Sequence, residues 1–497
     1  MRKPSRLSVL AVLAVVLALL PIGASSQTIT QNVPGAAPAV PNPDNRDMFA
    51  LNDLASWTQF SQVQNFEVLG HDYFRGPWLA PGMQGAGINT LRVCGTTAYL
   101  GGYPPTLFGA LIVDVSNPAK MQVLSFIPGN PGTRNAYLRV NCEKKILVLG
   151  EDNNAQNPNQ PAAGEKSVAG VAFFDVSDPR NPVQISMVAN NPGGTTHGME
   201  MDDQYVYGCN SVAESFPPSG GFIPQVLSII DYSSPSNPRV VSTFHVPGQL
   251  RGETYSADNQ LNPDGVAQWV TCHEIFKDGN RLYLAYRDAG AIVLDISDPT
   301  NPVQVLGWDF VPPYNGDPGN PLGCCPGAHS TVPVPHESSD LPTLMVVTDE
   351  HFNCPPGFGR VLDITDPSHV ALLSTFHMTG IDDQYDWNSG QFTCPPAQES
   401  THLPFFDPRG HGSLFYQAWY NEGLRVMDIS NPYSPKQVGY FISPDTTTSF
   451  QVGRHTREAY VDPATNLVYV TDGNGGGLTI LRYTGPMPQH PPLPGAR

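Results

Sequence analysis

Apolar residues in this chain come in short runs, each closed by an aspartate and a proline turn. The clearest is Ala291-Ile-Val-Leu-Asp295-Ile-Ser-Asp-Pro299-Thr-Asn-Pro302-Val-Gln-Val-Leu-Gly307. Short apolar runs bounded by turn residues predict buried strands. The Asp-Pro and Asn-Pro steps predict the tight turn between them. The pattern recurs, with its aspartate at Asp114, Asp175, Asp231, Asp295, Asp363 and Asp428, 56 to 68 positions apart. A worn seventh copy runs from Leu478 to Gly485. Repeats of this kind build arrays of one supersecondary unit.

One unit parses fully. His273 opens an inner strand A, and Asp278-Gly279 makes a hairpin turn. Arg281 to Tyr286 is strand B, Arg287 to Gly290 a loop, Ala291 to Ser297 strand C, and Val303 to Phe310 an outer strand D. The segment Asn65-Phe-Glu-Val-Leu-Gly70 matches a closing strand D with no repeat before it, whereas the last repeat lacks its own. Both defects vanish if the array is circular, which also removes open sheet edges. The expectation is an all-β, seven-bladed β-propeller whose last blade is closed by an N-terminal strand. The recurrent aspartate reads as a turn-former that binds nearby backbone N–H groups.

Composition supports many turns, with 51 prolines and 47 glycines in 497 residues. The net charge of -18 excludes a basic nucleic-acid footprint. Residues 1–27 read as a secretory signal: Arg2, Lys3 and Arg6 precede the apolar run Leu7 to Leu20, and small residues follow at 23–26. Residues 28–58 read as a flexible Pro/Ala linker, 59–485 as the propeller and 486–497 as a Pro-rich tail. The mature chain is expected to be secreted or periplasmic, with no membrane span. Export makes disulfides among its eight cysteines plausible. Cys94 and Cys142 fall at similar places in successive repeats, which suits a bridge between neighbouring blades. The remaining pairings stay open.

The residues opening strand A are Asn89, Asn135, His197, His273, His329, His402 and His455. In a propeller these strands surround the axis, so five imidazoles would converge at one mouth of the channel. Such a cluster suits a transition metal, Cu, Fe or Zn. Loops on the same face offer the carboxylates Glu151, Asp152, Asp288, Asp349, Glu350, Glu422 and Asp472, with His351 beside Glu350. The alternative is that each histidine binds a neighbouring backbone as a packing device. Long loops at 247–271, 311–328 and 379–401 also gather on this face, and long loops tend to bind or cover ligands. No nucleophile elbow, zinc helix, phosphate loop or dinucleotide fingerprint is present.

The Asp-x-Ser-Asp/Asn-Pro-x-x-Pro turns, Val347-Thr-Asp-Glu350 and Ala418-Trp-Tyr-Asn-Glu-Gly423 resemble the LVIVD-repeat family of exported β-propellers, including choice-of-anchor B type proteins. The resemblance covers roughly residues 60–485 and implies fold more than function. More distantly, the histidine ring is similar to the selenium-binding protein and methanethiol oxidase propellers, which use histidines with copper. It also resembles the four axial histidines of carotenoid-cleaving oxygenases. Fold alone does not assign function. Two readings follow. The first is a metal-dependent oxidoreductase acting on a small molecule, with His197, His273, His329, His402 and His455 as ligands and Glu350 moving protons. The second is a non-catalytic propeller that binds a protein or glycan through its loop-rich face.

Overall fold

The structure is a computed structural model. It describes residues 54–103, 106–153, 168–190, 194–211, 225–247, 249–250, 253, 270–308, 327–336, 343–350, 357–377, 385–386, 391–392, 400–444 and 454–492. The regions read as signal, most of the linker and much of the three long loops lie outside these residues, as do His351 and four of the eight cysteines.

The fold is an all-β propeller. The parsed unit appears as Val270–Asp278, Arg281–Arg287, Ala291–Asp295 and Val303–Trp308, four antiparallel strands in sequence order. The same four-stranded sheet recurs along the chain, and two copies are joined through the single pairing Arg287–Ala328. Counting that joined sheet as two gives, among the described residues, six four-stranded units and one of five strands, the fifth being Gln62–Gln64. In the last unit, Phe66–Asp72 pairs antiparallel with Gly477–Tyr483, so an N-terminal strand completes the C-terminal sheet. Gly70 is needed in that strand because a Cβ there would collide with the Pro118 carbonyl of the first sheet.

Alternation within the strands explains the ring. Leu282, Leu284 and Tyr286 of one strand pack toward the preceding sheet, with Tyr207, Leu227 and Ile229. Tyr283 and Ala285 of the same strand pack toward the following sheet, with Ala328, Met345 and Val347. A strand buried on both faces must be apolar at every position, hence the continuous runs. Each apolar cluster bridges two consecutive sheets, and the circle closes where Tyr469, Leu478 and Ile480 meet Ile88, Leu91 and Leu111. Each fully buried Val, Leu or Ile contributes roughly 1.5–3 kcal/mol.

Two repeated polar devices fix the turns. Asp114, Asp175, Asp231, Asp295, Asp363 and Asp428 each accept a hydrogen bond from the backbone N–H two residues on, at 2.8–2.9 Å. The aspartates are therefore turn-formers. At the rim, Ser125, Ser186, Ser242 and Ser374 each donate at 2.6 Å to a proline carbonyl in the next sheet's turn: Pro179, Pro235, Pro299 and Pro432.

Two disulfides also cross between sheets. Cys94–Cys142 joins the first and second, as the repeat register suggests, and Cys209–Cys272 joins the third and fourth. Residues 54–60, at the end of the segment read as linker and the start of the propeller, form a short helix, Leu54–Phe60. Its Trp57 is buried and stacks on His71 of the closing strand at 3.6 Å between ring centroids. That contact ties the helix to the ring. Among the described residues no helix is long and apolar enough to cross a membrane.

Candidate metal centre

The inner strands share one irregularity. Their pairing with strand B slips around the axial residue, between Ile88 and Leu91, Arg134 and Tyr137, Thr196 and Met199, Val270 and Glu274, and Ala328 and Ser330. In the last sheet the slip falls between Thr456 and Ala459, so Arg457 rather than His455 takes that register position. A bulge re-aims a side chain that regular pleating would send elsewhere. Repeated around the axis, it turns the strand-A residues toward one another.

Four of the expected histidines form a continuous arc. Ring centroids are 4.3 Å apart for His197 and His273, 4.5 Å for His273 and His329, and 4.2 Å for His329 and His402. His455 stands next in the circle but is separated from His402 by Tyr420, whose ring lies 4.9 Å from His402 and 4.5 Å from His455. Tyr137 stands at the other end, 4.9 Å from His197.

Their hydrogen bonds point the remaining ring nitrogens one way. His402 Nδ1 donates to the Arg457 carbonyl at 2.5 Å, which leaves Nε2 as a buried acceptor with no partner. His329 Nδ1 engages Ser330 Oγ at 2.8 Å, and its Nε2 is likewise buried without a hydrogen bond. His197 Nδ1 faces Asp152 Oδ2 at 3.3 Å, and Asp152 is itself paired with Arg134 at 2.8 Å. One ring nitrogen fixed by an oxygen and the other left bare is how ligating histidines are held. Buried bare nitrogens are costly unless something binds them.

Two groups bring ligand atoms within 4.8 Å of one another: His273, His329 and Glu350, and His197, His273 and Glu274. Mixed imidazole–carboxylate sets of this size suit Zn, Cu or Fe. The electrostatics fit as well, because metals bind neutral imidazole. Burial lowers the proton affinity of all five histidines; Arg287 reinforces it at His273 and His329, and Arg457 at His402 and His455. Burial alone would raise Glu350, but Arg287, His402 and Arg457 hold it down to about 2, so it is ionised. Glu274 is pushed up to about 8 by burial, despite a hydrogen bond from Tyr137.

Of the other candidate carboxylates, Asp152 reaches the arc. Glu151 instead accepts from Asn130 at 2.6 Å, Asp349 pairs with Arg360 at 2.7 Å, and Glu422 pairs with Arg425 at 2.8 Å. Asp472 accepts from the backbone of His455 at 2.6 Å. Asn89 binds Arg457 at 2.7 Å, and the Asn135 side chain lies outside the described residues.

Sequence reading missed the cations. Arg287 reaches Glu350 at 2.7 Å and also hydrogen-bonds His273 Nε2. Arg457 lies beneath Tyr103 and Tyr420, at 4.4 and 5.3 Å from their ring centroids. Arg287 and Tyr420 both sit at the end of a strand B with left-handed backbone, φ 46° and 27°. Non-glycine residues held so are strained by about 1–3 kcal/mol and concentrate at functional sites. Arg287 and Tyr420 hold one repeat position, three residues before Gly290 and Gly423, but differ in residue type.

These features define a β-propeller with a buried, histidine-lined axis. The LVIVD-repeat family model matches residues 109–126, 274–309 and 412–442. No curated protein sequence matches the chain. Solved structures with the same general shape include the computationally designed Ika8 protein, at 10% identity and TM-score 0.43, over 83% of this chain and 99% of that one. The periplasmic gluconolactonase PpgL of Pseudomonas aeruginosa is similar at 13% identity and TM-score 0.47, over 78% and 97%. The Cps50 (Swd1) β-propeller domain of Myceliophteria thermophila is similar at 13% and 0.45, over 85% and 99%. At this level of similarity none of them bears on function.

Proposed function

We propose that this is an exported metalloprotein whose axial histidines hold one Cu, Fe or Zn ion, used in oxidoreductase chemistry on a small molecule. The observation that carries the reading is the convergence of His273, His329 and Glu350, with ligand atoms within 4.8 Å and the buried Nε2 of His329 without a hydrogen bond. His197 and His402 flank that set, and His455 lies one ring further round the circle. A bound ion would supply Lewis acidity or electron transfer. Glu350, being ionised, is in the form of a base, and it is the carboxylate we assign to the proton step. Export is supported by the basic and apolar N-terminal pattern and by two inter-sheet disulfides.

A second reading has its own observation. Arg287 already binds both His273 and Glu350, so these groups are partly satisfied without an ion. That favours a non-catalytic propeller binding a protein or glycan through the loop-rich face. Elemental analysis of untagged, exported protein decides between them. About one equivalent of Cu, Fe or Zn, lost in a His273→Ala/His329→Ala variant, supports the metal site. Wild type that stays empty after reconstitution with each metal overturns it.

A further inference from the structure

Arg457 is a buried cation with no carboxylate in direct contact; the ionised Glu350 acts on it only at longer range. The side chain is 6% exposed, on the inner strand Thr456–Val461, two residues past His455. Its Nε donates to the neutral Asn89 Oδ1 at 2.7 Å and its Nη1 to the Tyr420 hydroxyl at 3.2 Å. Among the described residues it makes no ion pair, and Nη2 has no hydrogen bond. The other buried guanidiniums near the axis do have carboxylates: Arg134 has Asp152 at 2.8 Å, Arg287 has Glu350 at 2.7 Å, and Arg360 has Asp349 at 2.7 Å. Glu350 is committed to Arg287 and reaches Arg457 only through the Tyr420 hydroxyl.

A buried cation without a counter-ion in contact is costly, and an anionic ligand can supply that contact. The bare nitrogens of His402 and His455 belong to the same wall, since the Arg457 backbone holds His402 and Tyr420 stacks on His455. The guanidinium fork matches a planar carboxylate.

We propose that Arg457 is the anion-binding residue of the axial site, and that the site's ligand is a small carboxylate. As a substrate class this rests on the metal reading above; as a binding site it stands without it. A carboxylate seated on Arg457 would balance the charge of the guanidinium and place its remaining atoms against the histidine arc. Asn89 and Tyr420 are positioning residues, because they aim the guanidinium and leave its end toward the axis.

Calorimetric titration with sodium acetate tests this, on wild type and on Arg457→Gln and Asn89→Asp variants, each with and without reconstituted metal. Asn89→Asp is the sharper variant, since it keeps the size of the side chain and supplies a resident carboxylate to the same Nε. The expected result is acetate binding by wild type, weakened at least about tenfold in both variants, with metal content unchanged. Binding that is equally tight in a folded Asn89→Asp variant overturns the proposal, as does wild type that takes up no acetate. The two readings separate in this design. A metal-free protein that binds acetate through Arg457 removes the metal and keeps the anion site, whereas metal without acetate does the reverse.

Discussion

The His402 imidazole donates from Nδ1 to the backbone carbonyl of Arg457, 2.5 Å away in the neighbouring sheet. That bond sets the tautomer, so the Nε2 lone pair faces the axis. His329 shows the same division of labour, with Nδ1 on Ser330. Replacing either histidine by alanine is expected to weaken metal binding by at least about tenfold, the lower end of what orienting partners alone contribute. A chelator competition read by metal content measures it. His369 provides the control, because it is exposed and bonded to Asp366 on the turn face at 3.0 Å. His369→Ala should leave metal content unchanged; if it does not, the bound metal is not axial.

The rim serines predict a stability effect that is spread evenly. Ser125, Ser186, Ser242 and Ser374 each tie one sheet to the next by the same 2.6 Å bond to a proline carbonyl. Each Ser→Ala change should cost about 1 kcal/mol. The sites lie in different seams and share no partner, so the quadruple variant should lose about 4 kcal/mol by near-additivity. Denaturant midpoints measure this. A single serine that accounts for most of the loss would mean that the seams are not equivalent.

Legibility in the sequence followed the repeat. Strand order, turn aspartates and most of the strand-A histidines were readable because each recurs at one register position; His455 lies two residues before that position, which Arg457 holds in the last sheet. Arg287, Arg457, Tyr137 and Tyr420 were not, because the residue type at their repeat positions changes from sheet to sheet, and only the bulged inner strands and strand-B ends bring them to the axis. The disulfides divide the same way. Cys94 and Cys142 occupy similar places in their repeats, whereas Cys209 lies in a strand B and Cys272 in a strand A. Register says nothing about that second pair. The helix Leu54–Phe60 follows a Pro/Ala-rich stretch and is too short to announce itself; one tertiary contact, Trp57 on His71, holds it in place.

Cys209–Cys272 spans 63 residues and links two sheets near the candidate metal centre, with Cys272 directly before His273. Closing a loop of that size constrains the unfolded chain by about 4 kcal/mol in the chain-entropy model. A Cys209→Ala/Cys272→Ala variant is expected to lose stability of that order, and to lose metal affinity as well, since the bridge fixes the strand that carries His273. Cys94→Ala/Cys142→Ala should lose comparable stability with metal affinity preserved, because Asn89 and Asn135 occupy the axial positions in those two sheets. Denaturation and metal competition on both variants check the contrast. Equal loss of metal in the two would place the effect in the ring as a whole.

The closing strand gives the chain a pH response of calculable sign. His71 is buried against Trp57, with Tyr73 edge-on at 4.5 Å and Thr479 Oγ1 at 3.1 Å from Nδ1. An unfolded imidazole titrates near 6.5, and burial lowers His71 to about 3. Between those values the unfolded chain takes up a proton that the native chain refuses. Its contribution to stability therefore falls as pH drops through that window, by up to about 1.4 kcal/mol per unit. Neighbouring Asp72 acts oppositely. Burial raises it to about 6, from 3.8, so the native state is the better proton binder as pH falls between those values. The two partly cancel in wild type, and a variant is needed to separate them. His71→Phe keeps a flat ring on Trp57 and removes the titrating group. Its stability, from denaturant curves at pH 7, 6, 5 and 4, should fall less steeply with acid than that of wild type. Parallel curves would show that His71 takes up its proton without leaving the fold, and that Trp57 does not shield it.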